Sequence, residues 1–289
     1  SNIGDLMPLI LGTNSIKDTG YDVANSCRFD RDSTHKLHKT LVSSTDADKF
    51  TVSFWVKLAR FANSRYFFSI YTNSNNETSA DIQNDNTIRF YNYTSGSYTG
   101  QYVTNRVLRD PSAWYHLIFV YDSGNATAGN RIRLYINGVE ETSFSTEDNP
   151  NQDQNSQNTT DAVFYIGDYG GGSYGQSAYI AEFCFIDGQA LTPTSFGEFD
   201  SDSPTIWKPI DVSGLTFGNN GFYLDFEDSS NLGNDVNGGT DLTEVNLAAT
   251  DQSLDTCTNN FCTMNPLDNY YAGATFSEGN LKFVHGSSA

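Results

Sequence analysis

FTVSFWVKL, residues 50–58, is the stretch that decides the fold. Phe50, Val52, Phe54, Val56 and Leu58 alternate with Thr51, Ser53, Trp55 and Lys57. Alternation with period two describes a strand that buries one face. Working outward, Tyr66–Tyr71 is a second apolar run and Thr87–Tyr93 alternates again. WYHLIFVY (114–121) is apolar on both faces apart from His116, as a strand covered on both sides would be. RIRLYI (131–136) and Val139–Phe144 flank Asn137-Gly138, a pair that reaches the positive φ a two-residue hairpin turn needs. Ala162–Gly167, Tyr179–Ile186, Gly221–Phe226 and Gly279–Val284 are expected as further strands. Between them, residues 145–161 (STEDNPNQDQNSQNTTD) hold no aliphatic or aromatic residue and are expected to form one long polar loop. The single helical hint is Leu191–Phe199, with Thr192 as cap and Pro193 at the first helical position; Gly197 limits it to a turn or two.

Composition agrees. The 289 residues include 20 Phe and 17 Tyr but only 2 Met, a balance that favours strands and turns. No apolar run approaches the roughly 18 residues of a membrane span, and no secretion signal is legible. With 16 Lys and Arg against 35 Asp and Glu, the net charge of −19 repels phosphate backbones, so nucleic acid is a poor partner. Cys27, Cys184, Cys257 and Cys262 are too few for a disulfide scaffold. Whether Cys257 and Cys262 bridge depends on the turn between them.

FTVSFWVKL (50–58), AWYHLIFVYDS (113–123), RIRLYINGVEETSF (131–144) and YIAEFCFIDGQALTPTSFGE (179–198) follow one another at characteristic spacing. Together they resemble the laminin-G-like, concanavalin-A-like jelly-roll domains. TIWKPIDVSGLTFGNNGFYLDFED (205–228) and DQSLDTCTNNFCTMNPL (251–267) look like the variant found in bacteriophage tail-fibre and virion-surface proteins. The resemblance implies an all-β, two-sheet antiparallel sandwich over residues 22–200. A lead-in of residues 1–21 precedes it, and a β-rich extension of residues 201–267 packs on or completes it. Residues 268–289 are expected to start a further module, with a native chain that continues past Ala289. The resemblance also implies a scaffold for recognition at a rim or concave face, and in the virion a homotrimer.

Glucanases also use this fold, so paired acids matter. Glu182 and Asp187 are five apart and read as opposite faces; Asp225 and Glu227 share a face but lack a third acid. The resemblance gives Glu182 a structural place, bonded to neighbouring backbone or an arginine. His35 and His38 lack a third ligand, and His116 reads as a packed core residue. The chain is therefore expected not to be an enzyme. Asp148, Asp153 and Asp161, in or beside the polar loop, are the candidate ligands for Ca2+, with a plain solvated loop as the alternative.

Sugar binding asks for flat aromatic faces beside planar polar groups. Two loops fit: Tyr91, Tyr93, Tyr98 and Tyr102 among Asn, Thr and Ser, and Asp168, Tyr169 and Tyr174 among glycines. The candidate carbohydrate site is Tyr93, Tyr98, Asp168, Tyr169 and Tyr174. The expected protein is thus an extracellular, virion-surface adhesion module that binds host glycans and contacts other virion proteins; the alternative is a purely structural decoration of capsid or fibre.

Overall fold

The computed structural model describes residues 20–61, 65–170, 172, 174–267 and 274–284. Most of the expected lead-in (1–19) lies outside them. Two eight-stranded antiparallel sheets stack face to face. The first runs Val139–Glu140, Ile132–Ile136, Trp114–Asp122, Lys49–Leu58, Ala178–Asp187, Ser26–Phe29 and Gln252–Ser253, and Phe222–Leu224 pairs the far half of Ala178–Asp187. The second runs Phe144–Asp148, Ser97–Val107, Thr87–Thr94, Asn76–Ile82, Arg65–Asn73, Val163–Ile166, Lys36–Thr40 and Thr243–Val245. No α-helix occurs among the described residues. This is the expected jelly-roll sandwich. Residues beyond 200 add strands to both sheets.

The alternation at 50–58 does what it implies. Phe50, Val52, Phe54, Val56 and Leu58 enter the inter-sheet core. There they meet a phenylalanine lattice, with Phe54 stacked on Phe183 at 5.1 Å and Phe90 edge-on to Phe119 at 5.3 Å. Each such ring contributes about 1.5–3 kcal/mol by leaving water.

The other face of the first sheet is also covered. Ile118, Val120, Cys184 and Ile186 pack against Phe196, Val212, Phe217 and Tyr223, while Trp55, Trp114 and Tyr179 pack against Trp207 and Cys257. That cover is why 114–121 is apolar on both sides. Lys57 fastens it. Its ammonium is 1% exposed and donates to Asp255 (2.8 Å), Asn260 (2.8 Å) and the Phe261 carbonyl (2.5 Å), while the Trp114 indole donates to the same Asp255 (3.0 Å).

Three expectations are corrected. Asn137 (φ 50°) and Gly138 (φ 77°) make the hairpin turn, but its second arm is only Val139–Glu140. Glu141, held by Arg106 (2.7 Å) and by the Ser143 amide (3.0 Å), diverts the chain to the second sheet. There Phe144–Asp148 pairs with Ser97–Val107, so the polar loop starts only after Asp148. The helical hint is a single turn, as expected, of 3-10 type over Pro193–Ser195, though the Thr192 side chain makes no cap bond. The last strand is Lys282–Val284, paired with Thr275–Ser277 across a turn.

Candidate functional site

On the outer face of the second sheet, partly buried and partly exposed, cross-strand register assembles a site. Tyr71 lies opposite Glu77, Glu77 opposite Tyr93, and Tyr93 opposite Tyr98. Beside that row, Ser79 pairs with Tyr91 and Asp81 with Arg89. Residues directly opposite share a face. A bulge between Tyr66 and Phe68 lets Phe67 and Phe68 both enter the core and turns Tyr66 outward.

Beneath the rings lies an ionic floor. Asp81 is fully buried and its Oδ2 accepts from Arg89 Nε (3.1 Å) and Nη2 (2.6 Å). Arg89 also donates to the Tyr98 hydroxyl (3.1 Å) and lies 4.5 Å from the centre of the Tyr91 ring. Burial alone would lower the Arg89 pKa; Asp81 outweighs it and raises it. Glu77, also buried, accepts a short bond from the Tyr91 hydroxyl (2.6 Å), and Tyr91 meets Tyr66 at 3.2 Å between hydroxyls. Burial pushes the Glu77 carboxyl up, against the phenols of Tyr91 and Tyr169, which hold it down. In this floor Asp81 is paired with Arg89, and Glu77 Oε1 is held by the Tyr91 hydroxyl.

Of the expected sugar-binding residues, Tyr93 and Tyr98 stand edge to face at 5.0 Å, and Tyr169 and Tyr174 at 5.8 Å. The two pairs belong to one surface. Tyr98 contacts Tyr91 (5.4 Å), and Tyr66 contacts Tyr169 (4.9 Å) and Tyr174 (6.0 Å). Tyr98 is 48% exposed and Tyr174 49%. Asp168 plays a different part: buried, it accepts from Lys36 (3.0 Å) and from the Tyr174 amide (3.0 Å), and so pins its loop. Tyr102 faces the core and bonds Asn149 (2.8 Å). The residues 91–102 are two strands of a hairpin, not a loop. Sequence reasoning missed Tyr66, Glu77, Asp81 and Arg89 as site residues: the runs 66–71 and 87–93 are legible, but the small core residues Thr78 and Ala80 hide the strand Asn76–Ile82 that lies between them.

The family model described as concanavalin A-like lectin/glucanases superfamily matches residues 30–195. The chain belongs to that superfamily. No curated protein sequence matches it. Among solved structures, a Bacteroides ovatus protein provisionally described as carbohydrate binding is 15% identical at a TM-score of 0.51, covering 78% of this chain and 58% of its own. The SAP-like pentraxin of Limulus polyphemus is 19% identical at 0.43, covering 60% and 80%. Domains LG4-5 of mouse laminin α1 are 15% identical at 0.42, covering 71% and 48%. Similarity at this level concerns the fold alone.

As a lectin-like domain the chain offers little to a metal at the expected place. Asp148 ends an edge strand, the Asp153 amide bonds Ser123 O (3.1 Å), and the Asp161 amide bonds Leu41 O (3.0 Å). All three are exposed and tied to different segments. Among the described residues no three His, Cys, Asp or Glu side chains are grouped to hold a metal ion. The Ca2+ expectation therefore does not fit these residues.

The superfamily includes glucanases, and Glu77 and Asp81 do share the outer face. Asp81, however, is sealed and clasped by Arg89. Exposed on this face are phenol rings such as Tyr98, not two free carboxylates. Glu182 also departs from expectation. A bulge between Ala181 and Cys184, with Glu182 at φ 51°, turns it out of the core side, where Oε2 accepts from Tyr223 (2.6 Å) and Tyr21 (3.0 Å). Neither backbone nor arginine is its partner. Burial pushes its pKa up to about 7. All four cysteines are free, Cys262 alone exposed. Among the described residues no helix is long and apolar enough to cross a membrane.

Proposed function

We propose that this chain is a non-enzymatic module that binds cell-surface glycan across the outer face of the second sheet. We further propose that it does so on a virion surface, in the manner of a tail fibre and as a trimer. The observation that carries the glycan reading is the merging of two distant tyrosine groups, around residues 93–98 and 169–174, over one buried ionic floor. Phenol rings held at fixed heights suit the C–H faces of sugars, and the hydroxyls of Tyr93, Tyr98 and Tyr174 suit their oxygens. The virion context is supported by the resemblance of residues 205–228 and 251–267 to tail-fibre chains.

Tyr98→Ala combined with Tyr174→Ala should weaken glycan binding by roughly tenfold to a hundredfold. The melting temperature should hardly move, because both rings are half exposed. A glycan array and whole-cell binding read the first, calorimetry the second. Binding that survives the double change places the site elsewhere. Tight binding to other virion proteins, with none to any glycan or cell, would make the protein a decoration instead.

A further inference from the structure

Lys57 is the point where the cover over the first sheet meets the middle strand of that sheet. It lies in Lys49–Leu58, paired with Trp114 on one neighbouring strand and Tyr179 on the other, and its side chain is 1% exposed. The segment 254–262 crosses above it in a fixed turn. The Thr256 and Asn259 backbones bond each other in both directions (3.2 Å each), and the Asn259 side chain donates to the Leu254 carbonyl (3.1 Å). From this turn an acid and an amide reach the same ammonium: Asp255 Oδ2 and Asn260 Oδ1 each lie 2.8 Å from Lys57 Nζ. Trp114 Nε1 (3.0 Å) and the Phe261 amide (3.2 Å) hold the other oxygen of Asp255. Asn260 Nδ2 points elsewhere and donates to the Ser112 carbonyl (2.8 Å), so the carbonyl side of the amide faces the lysine. Lys208, by contrast, meets two carboxylates, Glu198 and Asp200.

A C=O bond is about 1.2 Å long, so Asn260 Cγ stands within about 4 Å of the lysine nitrogen. A nucleophile, an acid–base group and an electrophilic carbon are thus in mutual reach. We propose that Lys57 and Asn260 join in an intramolecular isopeptide bond. Asp255 Oδ2 takes a proton from the Lys57 ammonium, a transfer that burial favours because the neutral pair needs less hydration. The freed amine adds to Asn260 Cγ. Asp255 passes its proton to Nδ2, the Cγ–Nδ2 bond breaks, and ammonia departs. The new amide nitrogen sheds its extra proton to that ammonia, which leaves as ammonium, and Asp255 ends as the carboxylate it began as. The bond ties the cover to the middle strand. Tension on the chain beyond residue 260 is then borne by covalent bonds at Lys57 and not by the sheet alone.

The mass of the intact, denatured chain tests this. Linked protein should be lighter than its sequence by one ammonia, about 17 Da. A cyclised asparagine loses the same mass, so a protease digest must also show one branched peptide holding Lys57 and Asn260, with no tryptic cut after Lys57. Asn260→Ala, at a partly exposed position, should fold and regain the full mass. Asp255→Asn, which keeps the shape but cannot shuttle a proton, should also stay unlinked, an effect that a merely structural carboxylate would not have. A folded parent chain at full sequence mass, with Lys57 and Asn260 in separate peptides, overturns the proposal. A mass deficit that survives Asn260→Ala overturns it as well, and a branched peptide that survives Asp255→Asn overturns the part given to Asp255. None of these outcomes bears on the tyrosine face.

Discussion

The outer face of the first sheet is roofed by chain, whereas the outer face of the second is roofed by side chains. Both sink an acid beneath tyrosines: Glu182 under Tyr21 and Tyr223, Glu77 under Tyr91 with Tyr169 beside it. Burying a carboxylate is costly, and each sheet offsets that cost with phenol donors. Over Glu182 the residues after 200 close permanently, with Trp207, Val212 and Phe217 in the cover. Among the described residues, rings and one glycine-rich loop lie over Glu77, and two of the rings stand half in water. A face closed by chain serves the fold. A face closed by rings can exchange water for a ligand without unfolding anything.

Breaking the first roof should have the largest effect. Trp207 is buried, its indole donates to His116 Nδ1 (2.8 Å), and Gly138 and Gly197 are glycines that make room for its ring. The indole can only donate, so the His116 proton sits on Nε2, towards Ser53 Oγ (2.9 Å), and burial keeps the imidazole neutral, its pKa down to about 3. Trp207→Ala should cost about 3–5 kcal/mol in denaturant unfolding. Glycan affinity of the folded protein should stay the same. A parallel loss of affinity would mean that the two faces are coupled.

Next in size is the titration of Glu182. Its folded pKa of about 7 lies above the ordinary value of 4.5. A raised acid costs the fold nothing below pH 4.5; stability falls as pH rises from there to 7 and stays lowered above. The whole cost is on the order of 3 kcal/mol. Glu182→Gln should therefore melt like the parent at pH 4 and above it at pH 8. An equal difference at both values would show that Glu182 is charged throughout.

These two faces were unequally legible from the residues. The strands of the first sheet announce themselves because alternation (50–58) and two-sided apolarity (114–121) both follow from what covers them. Asn137-Gly138 marks its hairpin for a local reason, the positive φ of both residues. The second sheet is harder to read. NETSADI (76–82) sets Thr78, Ala80 and Ile82 inward and Glu77, Ser79 and Asp81 outward, so a buried strand is written mostly in polar letters. The tyrosines at 93, 98, 169 and 174 stood out from their Gly, Asn and Ser neighbours, but their meeting depends on Tyr66 and Tyr91, and pairing across five strands is not a local property. Glu182 was misread for a related reason: one extra residue in a strand reverses every face beyond it.

The smallest expected change sharpens the comparison most. A Cβ on Gly170 would lie 2.4 Å from Cγ of Tyr71, so the glycine is there to let the loop settle on that ring. Asp168 and Lys36 hold one end of the loop and Tyr66 the other. Gly170→Ala must lift the segment between these ties, displacing Tyr169 from Tyr66 and Tyr71. Because the loop is a surface element, stability should change by less than about 1 kcal/mol. Affinity should nevertheless fall, by about threefold to tenfold, since a ring misplaced by an ångström loses its stacking partner. Calorimetric melting beside a glycan titration separates the two quantities. Should stability fall by several kcal/mol with affinity intact, the loop would be a roof like the first sheet's, and the contrast between the two faces would fail at its decisive point.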